Sequence, residues 1–167
     1  MSGEGRPAER VVDASGLVLG LAATRWHAEL VDRMHERAVA AGRACGVREV
    51  ISVRVEGAVE LPVVAQALAR RCDAVVALGA VIRGETAHFE YVCRSVTDGL
   101  TRVALDESTP VAHGVLTVEN YAQAAARAGL PDSVEDRGWS ATLAALDAAN
   151  ALRGLAAGPA PVREAAS

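Results

Sequence analysis

A parallel β-sheet covered by helices on both faces is the fold class this sequence predicts, and three features predict it. Short apolar runs alternate along the chain with longer stretches whose apolar residues recur at helical spacing. Strands and helices in strict alternation imply parallel strands joined by crossover helices. Hydrophobic residues make up 51% of the chain but aromatics only 3%, so the core is built from Val, Ala and Leu. Small aliphatic side chains of this kind suit closely packed helix–sheet layers. A length of 167 residues is enough for one domain with a real core. We place that domain at residues 13–154, between an N-terminal arm (1–12) and a tail (155–167), of which Gly158–Ser167 reads as a disordered end.

The elements follow in order. Leu17–Ala22 is a short apolar strand, and Trp26–Ala44 is a helix with Leu30, Met34, Ala38 and Ala41 on one face, stopped by Gly46. Glu49–Val55 alternates apolar and polar residues as a second strand, and Glu56-Gly57 turns the chain. Pro62 stands in the first turn of a helix that runs to about Arg71. Ala74–Ala80 is the most apolar strand. After a loop to Ala87 comes a long helix carrying Phe89, Val92, Cys93, Val96, Leu100 and Val103. Val111–Leu116 is the last strand. Two helices close the chain, Val118–Ala128 and Ser133–Leu152, the second with Ser133 and Asp136 as a capping pair. The whole reads as a flavodoxin-like three-layer αβα sandwich.

Composition removes several function classes. The net charge of -4 gives no electrostatic footprint for nucleic acid. No lysine occurs, which excludes a P-loop lysine and any lysine Schiff base. Cys45, Cys72 and Cys93 form an odd set without Cys-X-X-Cys spacing, so neither a disulfide framework nor a zinc knuckle is expected. His27, His35 and His113 lack metal-ligand spacing. No apolar run approaches the ~20 residues of a membrane span, and Met1–Pro7 does not open a signal peptide. These features predict a cytoplasmic protein without metal or cofactor.

In open α/β sheets a ligand sits beyond the carboxyl ends of the strands. That rule selects Ala23–His27, Glu56–Leu61, Val81–His88 and His113–Thr117. The richest of these lies in Gly79–Cys93, where Gly84 permits tight backbone geometry and Glu85-Thr86 precede a helix whose free N–H groups suit an anion. Thr86 is either the N-cap of that helix or part of such a site. His88 is either a solvated helix-start residue or a proton carrier, since an imidazole exchanges protons near neutral pH. Arg127 either complements a helix dipole or grips phosphate bidentately. Glu60 is a first-turn acidic residue or a hydroxyl-binding carboxylate. Trp26, directly after a strand, caps the core or stacks on a flat ring.

Ala23-Thr24-Arg25-Trp26, Val55 through Pro62, the block GAVIRGETAHFEYVC (Gly79–Cys93), and Gly114-Val115-Leu116-Thr117 with Gln123–Gly129 occur in this order. Together they resemble the lumazine synthases of riboflavin biosynthesis over about Val12 to Leu152, the histidine block being the most specific part. The resemblance implies condensation of 5-amino-6-(D-ribitylamino)uracil with 3,4-dihydroxy-2-butanone 4-phosphate to 6,7-dimethyl-8-ribityllumazine, phosphate and water. The substrate's own amine forms the imine, in keeping with a chain that has no lysine. The resemblance further implies that Trp26 stacks on the pyrimidine, whose edge meets backbone groups near Val81 and Ile82. Ala58, Val59 and Glu60 hold the ribityl chain, Glu85 and Thr86 offer N–H groups to the phosphate, Arg127 pairs with it, and His88 moves protons. His113 and Arg137 face across to a neighbouring subunit's site. Glu56 and Ala87 stand where that family commonly has proline, and Arg137 where lysine is usual; none of the three removes a chemical role. A non-catalytic shell or flavin-binding relative on the same scaffold is the alternative, and the retention of His88, Arg127 and Glu60 together speaks against it. A receiver domain would need an acidic pair where Ala22-Ala23 stand, and a lysine.

The same resemblance implies a homopentamer. Some relatives assemble twelve pentamers into a shell through the link between the last two helices. Here that link, Gly129 to Gly138, looks longer than the shell-forming version, carries Pro131, and crowds Asp132, Glu135 and Asp136 at the bend. Like charges there oppose a further contact, so a free pentamer is expected.

Overall fold

Alternation within each apolar run decides which face of the sheet a side chain joins. In β1 (Val18–Thr24), Leu19, Leu21 and Ala23 enter one layer while Val18 and Ala22 enter the other. The pattern repeats in β3 (Ala74–Ile82), where Ala74, Val76, Leu78 and Ala80 point one way and Val75 and Ala77 the other. The structure, a computed structural model, describes residues 10–158, so the expected arm (1–12) and tail (155–167) fall mostly outside it.

Together with β2 (Glu49–Val55) and β4 (Val111–Val118), these strands form one four-stranded parallel sheet in the order β2-β1-β3-β4. On one face lie α1 (Ala28–Ala44) and α5 (Arg137–Ala156); on the other lie α2 (Leu61–Ala69) and α3 (His88–Asp106). The result is the predicted three-layer flavodoxin-like sandwich.

Helix α1 buries Leu30, Val31, Met34, Ala38 and Ala41, and each large aliphatic side chain so buried contributes about 1.5–3 kcal/mol. It lies so close to α5 that a Cβ added at Gly138 would collide with the Met34 backbone carbonyl. On the opposite face, Gly99 of α3 sits against the Pro62 ring, where an added Cβ would come within 2.8 Å. Small residues at both crossings let the helices approach closely, as the Ala- and Gly-rich composition requires.

The structure differs from the sequence expectation mainly toward the C-terminus. The strands β1, β3 and β4 each run two residues past the predicted ends, to Thr24, Ile82 and Val118. Val118 is therefore the end of a strand and not the start of a helix. The short helix α4 (Tyr121–Ala125) begins after Asn120, whose side chain accepts from Gln123 N–H at 3.0 Å. The last helix starts at Arg137, four residues beyond the predicted Ser133, because Asp136 alone caps it: Asp136 Oδ1 accepts from Trp139 N–H at 3.0 Å. Asp136 also pairs with Arg37, whose guanidinium lies 4.9 Å from the centroid of the Trp139 ring. Ser133 instead folds the preceding loop, accepting from Leu130 N–H at 2.9 Å and donating to the Ala125 carbonyl.

Candidate active site

The strand order reverses direction between β1 and β3, and there the connections leave the sheet on opposite faces. Such a switch point opens a crevice at the carboxyl ends of the strands. In this chain a cavity of ≈ 460 Å³ occupies that place. It brings together Trp26 and His27 after β1, Glu56 to Glu60 after β2, and Ala80 to Ile82 at the end of β3. Gly84, Thr86, His88, Phe89 and Val92 close it from the α3 side.

The floor is built from close contacts at the strand ends. Arg25 N–H donates to the Val55 carbonyl at 2.9 Å, joining β1 to the end of β2. A Cβ on Gly79 would come within 3.1 Å of Thr24 Cγ2, so glycine is what permits β3 to pass this close. The Thr24 hydroxyl, almost wholly buried, finds no hydrogen-bond partner among the described residues.

Trp26 stands 63% exposed at the rim, an indole held out of the core at a strand end. The adjacent His27 adopts left-handed backbone angles (φ 53°, ψ 49°) as N-cap of α1, and its ring meets Trp26 edge-on with centroids 6.3 Å apart. Left-handed geometry costs a non-glycine residue about 1–2 kcal/mol, and here the His27 carbonyl recovers bonds from Leu30 and Val31 N–H at 3.0 Å each. After β2, Ala58–Glu60 form a single 3-10 turn in which Glu60 Oε2 accepts from Gly57 N–H at 2.8 Å. That bond engages one carboxylate oxygen of Glu60.

Residues 83–88 are exposed, and α3 begins at His88. Ala87, not Thr86, is the N-cap, and it caps with no side chain. The Thr86 hydroxyl accepts weakly from His88 N–H at 3.4 Å. Within the first turn of α3, Glu90 N–H donates to the Ala87 carbonyl at 3.0 Å, and the helix dipole at this end of α3, beside the cavity, favours an anion.

Of the residues singled out in the sequence, Trp26, Ala58, Val59, Glu60, Val81, Ile82, Thr86 and His88 line this cavity. Glu85, Arg127, His113 and Arg137 do not. The fourth predicted segment, His113–Thr117, stays outside because β4 is an edge strand beyond the switch point. His113 lies within that strand, paired in register with Ala77, and its Nε2 is 3.1 Å from the Thr97 hydroxyl of α3. Burial, with a smaller contribution from Arg137, holds its pKa below the usual imidazole value. Arg127 lies past the end of α4 and not within a helix; its Nη1 donates to the Gln123 carbonyl at 2.9 Å. Glu135 stands between the two arginines, with Arg127 Nε at 3.9 Å and Arg137 Nη2 at 3.5 Å.

Sequence reasoning missed two lining residues of chemical weight. His27 falls within the Ala23–His27 segment but is singled out in the sequence only for lacking metal-ligand spacing, and nothing local announces its left-handed backbone. Phe89 was read as part of the apolar face of its helix, but it is half-buried at the cavity wall. Among the described residues no arginine lines the cavity, whereas Glu56 and Glu60 both do. Among the described residues there is no cluster of three or more metal-ligating side chains, and no helix long and apolar enough to cross a membrane.

A family model described as 6,7-dimethyl-8-ribityllumazine synthase matches residues 16–153. Proteins of that name are similar to this chain over nearly their whole length. The one from Salinispora arenicola is 68% identical, covering 93% of this chain and 94% of its own. That from Thermobifida fusca is 64% identical over 93% and 91%, and that from Mycobacteroides abscessus 57% over 93% and 97%. With the crevice at the switch point and the histidine block at its wall, these likenesses place the chain in the 6,7-dimethyl-8-ribityllumazine synthase family, as a transferase of riboflavin biosynthesis.

Proposed function

We propose that the cavity at the β1–β3 switch point condenses 5-amino-6-(D-ribitylamino)uracil with 3,4-dihydroxy-2-butanone 4-phosphate. The observation that carries this reading is the convergence, within one cavity, of Trp26, the 58–60 turn, the end of β3 and His88. Trp26 stacks on the pyrimidine, and backbone groups at Val81 and Ile82 meet its edge. Ala58, Val59 and Glu60 hold the ribityl hydroxyls, Glu60 with the oxygen not committed to Gly57. The phosphate lies at the first turn of α3, against the N–H groups near Glu85 and Thr86.

The pyrimidine's amine attacks the butanone carbonyl, and water leaves as the imine forms. Loss of a proton from carbon then expels phosphate. The ribitylamine nitrogen closes the ring, and a further water departs. His88 carries protons in these steps, and the chain needs neither a lysine nor a cofactor to form the imine.

A phosphate site without a nearby cation is incomplete, since charge-assisted contacts are what hold such dianions. Arg127 and Arg137 carry the missing charge but lie outside this cavity, so the reading gives them, with His113, to the site of a neighbouring subunit. A heterologous interface of that kind closes into a ring when its rotation closes. We take the ring as a homopentamer of the 13–154 domain, working in the cytoplasm and without a shell. Five chains of 17.3 kDa give about 87 kDa; light scattering should find this mass, and a megadalton particle would overturn the argument from the 129–138 link.

The decisive experiment mixes both substrates with the purified protein and follows lumazine absorbance and phosphate release. Appearance of both, in equal amounts, is the expected result. Slow release equal to that of the uncatalysed mixture would refute the reading.

A further inference from the structure

Few bonds hold the segment that carries His88. The backbone N–H of Arg83 donates to the Val118 carbonyl at 2.9 Å, and the Thr86–His88 contact is long at 3.4 Å. A Cβ on Gly84 would touch nothing within 4 Å. Glu90 N–H donates to the Ala87 carbonyl at 3.0 Å within the turn itself, and the Arg83 side chain ties that turn to the end of β4. Its Nε donates to Glu119 Oε2 at 2.6 Å and its Nη1 to Glu90 Oε1 at 3.1 Å, while its guanidinium carbon lies 4.3 Å from the centroid of the Phe89 ring. Phe89 and Glu90 belong to the first turn of α3, and Glu119 directly follows β4. Glu119 is itself fixed, its N–H donating to Gln123 Oε1 at 2.9 Å. Phe89 lines the cavity and Arg83 does not.

We propose that Arg83 is a positioning residue for the reaction, clamping Phe89 and Glu90 to the end of β4 and so fixing His88 and the first N–H groups of α3 at the crevice. The inference rests on the reading of that turn as the phosphate and proton-transfer end of the site. Exposed ion pairs contribute little to stability, and Arg83 is partly exposed, so the clamp serves geometry more than folding. A displacement of about 1 Å at reacting groups costs on the order of 100-fold in rate. The planar guanidinium can bond two carboxylates with its edge while its face stacks on a ring, a geometry a point-like ammonium does not offer.

The test compares wild type, Arg83→Ala, Glu119→Ala and the double variant, with kcat and both KM values measured and thermal unfolding followed alongside. Arg83→Ala should lower kcat by roughly 10- to 100-fold while the KM for the ribitylaminouracil stays within about twofold and the melting temperature stays near wild type. Glu119→Ala should move kcat the same way, and the double variant should be no slower than Arg83→Ala, because both remove one clamp. Unchanged kcat in Arg83→Ala, multiplicative losses in the double variant, or equal weakening of both substrates would overturn the proposal. If Arg83→Ala does not fold, Glu119→Gln, which keeps the shape but loses the charge, must lower kcat for the proposal to stand. A wild-type enzyme without activity would instead overturn the proposed function, and this inference with it.

Discussion

The crevice and the corner between α4 and α5 present opposite chemistry. Trp26, the 58–60 turn and the end of β3 make a largely apolar cavity whose charged lining is acidic, from Glu56 and Glu60. At the corner, Arg127 and Arg137 share one partner, Glu135, and neither reaches the cavity. On the proposed reading the cavity takes the flat, hydroxyl-bearing pyrimidine, and no described arginine lines it to meet a phosphate. The corner has cations: Arg127 and Arg137 lie 3.9 Å and 3.5 Å from Glu135, and Arg127 also donates to the Gln123 carbonyl at 2.9 Å. The proposed assembly joins the corner of one chain to the crevice of the next. The long ion-pair distances to Glu135 fit side chains that exchange an internal partner for a ligand at modest cost.

Variants can break or sharpen this contrast. The largest effect belongs to His88→Ala, which should slow turnover about 100-fold, the low end of the usual acid–base contribution; normal turnover would take histidine out of the mechanism. Next comes Arg127→Ala. Losing a charge-assisted contact costs about 1.5–3 kcal/mol, so the KM for the butanone phosphate should rise roughly 10- to 100-fold while that for the pyrimidine holds. On the proposed reading the two halves come from different chains, so unfolding and reassembling His88→Ala together with Arg127→Ala should restore part of the lost activity. No recovery on mixing would mean that both residues serve the same chain's site.

A smaller effect is expected on the apolar side. Trp26→Ala removes a stacking contact of about 0.5–1.5 kcal/mol, raising the pyrimidine KM several-fold and abolishing most of the tryptophan quench on binding a ribityl-pyrimidine analogue. If Trp139→Phe removes the quench instead, the ring lies elsewhere. The smallest concerns His113, whose folded pKa is held below its ordinary 6.5, chiefly by burial. Between those two values the unfolded chain binds the extra proton, so stability is full above pH 6.5 and falls as the pH drops toward the folded value. The melting temperature should drop across that window, and His113→Gln should flatten the drop; an identical pH profile in that variant would remove His113 as its source.

What the sequence makes legible follows from what is local. Alternating residues in β1 and β3 define their two faces directly, and the glycine turns after β2 and β3 mark where side chains leave the sheet. Three of the four segments that the strand-end rule selects form the crevice. The rule errs at His113–Thr117 because the crevice belongs to the β1–β3 reversal, and strand order is a tertiary property that no single segment encodes. The start of α5 is misread for a similar reason. Ser133 and Asp136 are both good N-caps; Asp136 takes the role beside Arg37, Trp139 and the Gly138–Met34 approach, all contacts with distant parts of the chain or the helix itself. The pairing of Arg83 with Glu119 was equally out of reach, since 36 residues separate them.

The placement of α5 has a consequence for how the chain is made. As it emerges from the ribosome, β2 can add to β1, β3 to the other side of β1, and β4 to β3, so each new strand finds a ready edge. The helical layers do not fill in that order. Helices α2 and α3 cover their face before β4 is synthesised, but α1 waits for α5, the last helix, with nearly a hundred residues between Ala44 and Arg137. Until then the side of α1 that will meet α5 has no helical neighbour, and the backbone of Met34 lacks the close cover that Gly138 provides. Nascent chains expose apolar surface in this way and become targets for chaperones or for one another. A chain halted before Arg137 would hold most of the crevice yet lack half of one layer, and it would aggregate before it could bind anything.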